Sequence, residues 1–133
     1  YRQELLGQEN PEEYKYFELY FSNKDYRPYF IKHKKNIIGF ALVNRYSVTE
    51  KGLFSIAEFY IEKKYRNRGL GRVAAYQVFD LFHGKWEIRE LQSNKKAQIF
   101  WRNVIQEYTD GNFSEIHLDN ESWSGPVQVF INC

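Results

Sequence analysis

Between Leu53 and Leu91 the hydrophobic pattern changes its period twice, and no other feature limits the fold as strongly. Leu53 to Ile61 is an apolar run of strand length, and a polar, basic loop follows it from Glu62 to Gly69. Over residues 70–83 the apolar side chains recur at helical spacing, with Leu70, Val73, Ala74, Val78, Leu81 and Phe82 on one stripe. Gly84 is a natural stop for that helix, and Trp86 to Leu91 again has the content of a strand. A strand, a helix and a strand in this order require a parallel pair joined by a right-handed crossover.

The flanking sequence adds antiparallel pairs and further helices. Pro11, Glu12 and Glu13 open a helix expected over 11–22, with Tyr16, Phe17, Leu19 and Tyr20 on its apolar side. A strand over 29–33, a turn at Lys34-Lys35-Asn36 and a strand from Ile37 to Tyr46 form a hairpin with lysines at its solvated tip. Ile37 to Val43 is apolar on both alternating faces, as in a central strand covered on both sides. Residues 95–108 carry Ala97, Phe100, Trp101, Val104, Ile105 and Tyr108 at steps of three and four, which predicts another helix. After a turn at Asp110-Gly111-Asn112, closing strands are expected near 113–118 and 126–131, around a loop over 119–125. A chain of 133 residues suffices for one domain with one core. Residues 1–133 are therefore expected to form a single α/β (α+β) domain, a mixed, mainly antiparallel sheet with helices on both faces.

Nineteen basic against seventeen acidic residues leave a net charge of +2, without the basic excess of a nucleic-acid or anionic-membrane binder. The longest apolar runs are far too short to span a bilayer. The single cysteine, Cys133, closes no internal disulfide and joins no metal-binding cluster, so the expectation is a cytoplasmic protein without a metal. His33, His83 and His117 have no metal-ligand spacing, and the glycosylation tripeptides at Asn112 and Asn120 are chance matches. No methionine occurs, even at position 1, so an amino-terminal part is expected outside the chain. Aromatic residues, at 19%, point to a core of large flat rings and an aromatic-lined pocket.

The chemistry concentrates in Arg66-Asn67-Arg68-Gly69-Leu70-Gly71-Arg72, between a strand and the start of a helix. A helix amino terminus offers unpaired backbone N–H groups and a partial positive charge. Glycine at 69 and 71 removes side chains that would hold a ligand off that backbone, and Arg66, Arg68 and Arg72 add bidentate cationic donors. Together these make a cradle for a pyrophosphate. The alternative is a plain helix start, with glycines for tight packing and arginines facing water. The segment is not a P-loop, since no Gly-Lys-Ser/Thr follows. Gly69, Gly71 and Ala74 do match the spacing of a dinucleotide fingerprint, with Glu90 about twenty residues on. In that fold, however, the first glycine follows the strand closely, whereas here the charged stretch from Glu62 to Arg68 intervenes.

Arg66-x-x-Gly69-x-Gly71, after a strand and opening a helix, resembles the acetyl-CoA signature of the GNAT superfamily of N-acetyltransferases. Asn94-x-x-Ala97-x-x-Phe100-Trp101 is similar to the family's later Asn-x-x-Ala-x-x-Phe-Tyr helix. The order of elements agrees over nearly the whole chain. Phe59-Tyr60-Ile61, Gly84-Lys85-Trp86-Glu87 and Phe100-Trp101-Arg102 look most like a bacterial branch of acetyltransferases. The resemblance implies acetyl-CoA as cosubstrate. Its pantetheine arm would pair with the third strand near Phe59, Tyr60 and Ile61, and its pyrophosphate would sit on the amides from Arg68 to Arg72. Asn94, Ala97 and Phe100 would border the arm where the parallel strands splay. The family's fold begins with a strand and a helix that this chain is expected to lack, apart from the end of that helix near Gln3 to Leu6. An edge left open in this way would favour self-association, as in a homodimer.

The reaction implied is direct transfer of acetyl from the thioester to an amine, on a small molecule or a peptide. The amine must first lose a proton, since an ammonium has no lone pair. Glu58, the only acidic residue between Leu53 and Ile61, is the candidate base, and partial burial there would raise its pKa toward the useful range. An ordinary strand glutamate paired with a Lys or Arg is the equal alternative. A backbone N–H near Tyr60 or Ile61 would polarise the thioester carbonyl. Family members often protonate the leaving thiolate with the tyrosine of the Phe-Tyr pair; here that position is Trp101, whose indole is too weak an acid. Tyr108, seven residues on along the same helical face, is the candidate replacement, against a reading as a core aromatic. Asp119, Glu121 and Trp123 would favour a cationic acceptor, or form a solvated loop. With Trp101 in place of the acid, a non-catalytic acyl-CoA-binding module is the alternative to an enzyme.

Overall fold

The computed structural model describes residues 27–132. Six strands form one sheet: β1 (Arg27–His33), β2 (Asn36–Asn44), β3 (Phe54–Ile61), β4 (Gly84–Arg89), β5 (Ser114–Asp119) and β6 (Ser124–Asn132). Helix α1 (Leu70–Leu81) joins β3 to β4, helix α2 (Lys95–Thr109) joins β4 to β5, and a 3-10 turn at Lys63–Tyr65 precedes α1. The strand order is β1-β2-β3-β4-β6-β5, with β3 and β4 parallel and every other neighbouring pair antiparallel. The mixed, mainly antiparallel sheet and its parallel crossover are thus as the sequence predicts. The helix expected over 11–22 lies outside the described residues. Among those described, no helix is long and apolar enough to cross a membrane.

Both α1 and α2 pack on the same face of the sheet, and the core lies beneath them. Phe79 of α1 is its centre, with ring centroids 4.9 Å from Phe130, 5.0 Å from Tyr108, 5.1 Å from Trp86 and 6.2 Å from Trp101. Offset and edge-on contacts of this kind add to the area that the rings bury. Ala41, Val43, Ile56, Ala75, Val78, Ile88, Val104 and Ile105 complete the cluster. Leu42, between Ala41 and Val43, points to the opposite face and is also buried, which is what the doubly apolar pattern of β2 requires.

One expectation needs correcting. Gly84 is not the helix stop: α1 ends at Leu81, Phe82 is already extended (φ −135°, ψ 117°), and Gly84 is the first residue of β4. The closing hairpin, whose place in the sheet the sequence left open, is inserted the other way round from chain order. β6 lies beside β4 and β5 takes the edge. Gly125 to Gln128 of β6 are all buried, whereas β5 is mostly exposed, so the strand with more apolar surface is the one paired on both sides. The end of α2 is as expected. Asp110 is left-handed (φ 53°), and the Gly111 N–H donates to the Gln106 carbonyl at 3.0 Å.

The parallel ladder is short. Phe54 pairs with Trp86 and Ser55 with Glu87, and there it ends. Beyond that point β4 follows β6 as far as Arg89, while β3 follows β2 as far as Ile61, leaving a V-shaped gap. β3 carries a bulge where the arms part: Val43 faces Ile56, Leu42 faces Glu58, and Ala57 is the extra residue. Plain alternation would put Glu58 on the same face as Ile56. The bulge turns Glu58 away from the helices and turns Phe59 and Ile61 toward them.

Candidate functional site

One arm of the gap is backbone. The Glu62 N–H donates to the Ile38 carbonyl at 2.6 Å. Antiparallel alternation then directs the backbone groups of Tyr60 to β2 and those of Phe59 and Ile61 into the gap. The Ile61 carbonyl accepts from Nε of Arg66 at 2.6 Å, and the Arg66 guanidinium lies 5.3 Å over the Tyr60 ring. Arg66 therefore braces the loop against the end of β3, and its Nε is already used. Tyr60 itself is exposed on the far face, stacked on Phe40 at 5.7 Å.

Helix α1 starts at the mouth of the gap. Asn67 (φ 61°) and Gly69 (φ 76°) are both left-handed, and Gly69, the N-cap, offers no side-chain acceptor. The Val73 N–H bonds the Gly69 carbonyl at 3.3 Å, so the N–H groups of Leu70, Gly71 and Arg72 have no carbonyl within the helix. The two glycines are needed for different reasons. Gly69 has the positive φ that side chains disfavour. At Gly71 a Cβ would meet Phe100 Cε1 at 3.2 Å and Cζ at 3.3 Å, with Ile61 Cγ1 at 3.8 Å. Tight packing thus holds for Gly71 alongside any role in a cradle. The Arg68 guanidinium lies 5.5 Å over the Tyr65 ring. Arg72 pairs with Glu107 of α2 at 3.2 Å, and the Tyr76 hydroxyl donates to the same carboxylate at 2.8 Å.

Phe100 closes the gap from α2, its ring 5.8 Å from Phe59 and 4.9 Å from Trp101. Asn94 caps α2 by accepting the Ala97 N–H at 3.1 Å, so its Oδ1 is engaged. Phe59, Ile61, Arg66, Gly71 and Phe100 are brought together, with Asn94 and Ala97 at the same end of α2. Glu58 is exposed, and the partial burial expected there is absent. Trp101 is 7% exposed, with Phe59 at 5.1 Å.

Tyr108 is not brought to the gap. Its hydroxyl donates to Asp80 at 2.6 Å and accepts from Asn132 Nδ2 at 3.1 Å. Asp80 stands nine residues along α1 from Gly71, about 13 Å by helical rise. Burial, and then the bond to Asp80, push the Tyr108 phenol above its ordinary value, which makes it a weaker acid.

The loop expected over 119–125 narrows to 120–123, because β5 reaches Asp119 and β6 starts at Ser124. Trp123 Nε1 donates to the Glu90 carbonyl at 3.1 Å, and the Arg89 guanidinium lies 5.0 Å over its ring, so this loop packs on the end of β4. A groove of about 280 Å³ beside the β1–β2 hairpin is lined by Lys32, Lys35, Asn36, Glu62, Lys64 and Tyr65.

Two buried glutamates have partners that the sequence did not point to. Glu87 accepts from the Val48 N–H at 2.9 Å, the Thr49 N–H at 2.8 Å and the Thr49 hydroxyl, pinning the loop between β2 and β3. Glu90 is 3% exposed and accepts from Gln128 Nε2 at 2.9 Å. Burial, the largest cause, raises its carboxyl to about 7. Their one signal is that both fall between Trp86 and Leu91, in a segment bound for the core.

The model of the acetyltransferase (GNAT) family matches residues 1–104. The chain belongs to this family. The match runs through β1 to β4, all of α1 and most of α2. Solved structures with the same fold include an acetyltransferase from Thermus thermophilus, with a TM-score of 0.66 at 15% identity over 91% of this chain and 71% of that one. A GNAT acetyltransferase from Elizabethkingia anophelis with acetyl-CoA bound gives 0.60 at 12% over 89% and 82%. The ribosomal-protein-S18-alanine N-acetyltransferase of Escherichia coli gives 0.58 at 14% over 86% and 72%. At these identities the likeness shows the fold. No curated protein matches the chain.

Proposed function

We propose that this GNAT chain is an acetyl-CoA-dependent N-acetyltransferase that moves acetyl directly from the thioester to an amine of a small molecule or peptide. The observation that carries the proposal is the gap between β3 and β4, with the uncapped amino terminus of α1 at its mouth. The residues present suit such a cosubstrate in two ways. The N–H groups of Leu70, Gly71 and Arg72 lack partners within the helix and fit a pyrophosphate. The open edge of β3 offers the Phe59 N–H and carbonyl and the Ile61 N–H to an arm that carries amides, the Ile61 carbonyl being taken by Arg66.

Acetyl-CoA supplies an acyl group activated as a thioester. In this reading Arg68 and Arg72 add positive charge near the pyrophosphate, and Phe59 and Phe100 exclude water from the gap. The Phe59 N–H, on the open edge, polarises a carbonyl placed against it. Glu58, turned to the opposite face by the bulge, takes the proton from the acceptor ammonium. Asp119, Glu121 and Trp123, on the β4 side, favour a cationic acceptor.

One observation favours a second reading. Trp101 is buried among Phe59, Phe79 and Phe100, and it supplies no acid there. An acyl-CoA-binding module without turnover would tolerate it. Thiol release from acetyl-CoA against a panel of amines and peptides decides between the two. Release above the rate in water for any acceptor supports the enzyme. Thermal stabilisation by acetyl-CoA without release supports the module, and neither effect overturns both.

A further inference from the structure

Beneath α2 a row of polar side chains runs from the sheet edge into the interior. Arg102 of α2 donates twice to Glu115 of β5, from Nε to Oε1 at 2.8 Å and from Nη2 to Oε2 at 2.9 Å. His117 Nε2 is 3.3 Å from Glu115 Oε2. Gln128 of β6 then donates through Nε2 to Glu115 Oε1 at 2.7 Å and to Glu90 Oε1 at 2.9 Å. Gln128 is 0% exposed and Glu90 3%. Two buried atoms in this row have no hydrogen-bond partner, Glu90 Oε2 and Gln128 Oε1. If Glu90 is ionised, both are orphaned acceptors, which a folded protein rarely tolerates.

The amide of Gln128 cannot be turned round to repair this. A flip would point its oxygen at both carboxylates. Glu115 is held ionised, since the Arg102 bonds keep its carboxyl below the ordinary value. Gln128 Nε2 must therefore face the carboxylates, and its Oε1 stays on the amide that already bonds Glu90. A single proton on Glu90 Oε2 supplies the donor that both orphans lack. We infer that Glu90 holds a proton in the folded protein and forms a cyclic acid–amide pair with Gln128, its O–H donating to Gln128 Oε1. This pair is a pH-sensitive latch between the end of β4 and β6. Loss of the proton sets two acceptors against each other and leaves a buried anion facing Glu115.

The charges around the latch agree with this. Burial raises the Glu90 carboxyl to about 7, the Glu115 charge adds to the rise, and the Gln128 bond and the Arg102 charge oppose it. Arg89 is directed to the other face, where it pairs with Glu87 at 3.3 Å. A group whose value is raised on folding contributes stability that is complete below its unfolded pKa and is lost as pH rises through the folded one.

The test is thermal unfolding of the whole chain and of Glu90→Gln from about pH 5.5 to about pH 8.5, without ligand. Glutamine reproduces the neutral acid, with its N–H donating to Gln128 Oε1. The wild-type melting temperature should fall as pH rises toward about 7 and level off above it. Glu90→Gln should lack that fall and be the more stable protein at the alkaline end. Infrared spectroscopy of the folded wild type should show a carboxylic-acid C=O band at about pH 6 that disappears as pH passes about 7. Equal slopes for the two proteins, or no such band, would overturn the latch. The infrared test holds even if the variant does not fold. Neither test involves acetyl-CoA, so failure here would leave the proposed function standing.

Discussion

Gly69 and Gly71 look alike in the sequence and act differently in the fold. Gly71→Val should lower stability by about 1–3 kcal/mol through overpacking against Phe100, and should abolish stabilisation by acetyl-CoA. Gly69→Ala meets no close neighbour but must hold φ near 76°, which costs about 1–2 kcal/mol. Urea denaturation with and without acetyl-CoA separates the two cases. Glu58→Gln should leave the acetyl-CoA thermal shift intact while turnover falls roughly a hundredfold, the scale of general-base loss; unchanged turnover would remove Glu58 as the base. Tyr108→Phe should cost about 1 kcal/mol for the lost bond to Asp80 and leave turnover unchanged. The motif made the glycines, Arg66 and Phe100 legible. The side on which Glu58 stands was not legible, because the Ala57 bulge is a pairing decision made by β2 and leaves no local trace.

At the scale of elements, the crossover from β3 through α1 to β4 could be read from the change of period, and the β1–β2 hairpin from its turn. The place of β6 could not, since both closing segments have strand content and the choice between them rests on which buries more against β4. Polar ties between elements were equally hidden. Arg102 links α2 to β5 through Glu115, and its guanidinium keeps that carboxyl depressed. A depressed carboxylate contributes stability that is present above its unfolded pKa and is lost as pH falls through the folded one. Arg102→Met should therefore cost about 1 kcal/mol near neutral pH, the pair being partly solvated, and should flatten the loss of stability on acidification. Melting temperatures of both proteins down the acid range check this; an unchanged acid limb would mean that the pair contributes nothing.

Among the described residues, a core built on Phe79 holds two helices against a six-stranded sheet, and the sheet opens where β3 and β4 part. Parallel strands that separate after two register pairs leave backbone groups unpaired on the arm formed by β3, and α1 points its free N–H groups at the same opening. In the proposed function acetyl-CoA occupies this opening. Amide hydrogen exchange of the whole chain, with and without acetyl-CoA, tests it residue by residue. Slowed exchange is expected at Phe59 and Ile61 of β3 and at Leu70, Gly71 and Arg72 of α1. Unchanged exchange at those five amides, or slowing confined to the groove lined by Lys32, Lys35 and Tyr65, would contradict it.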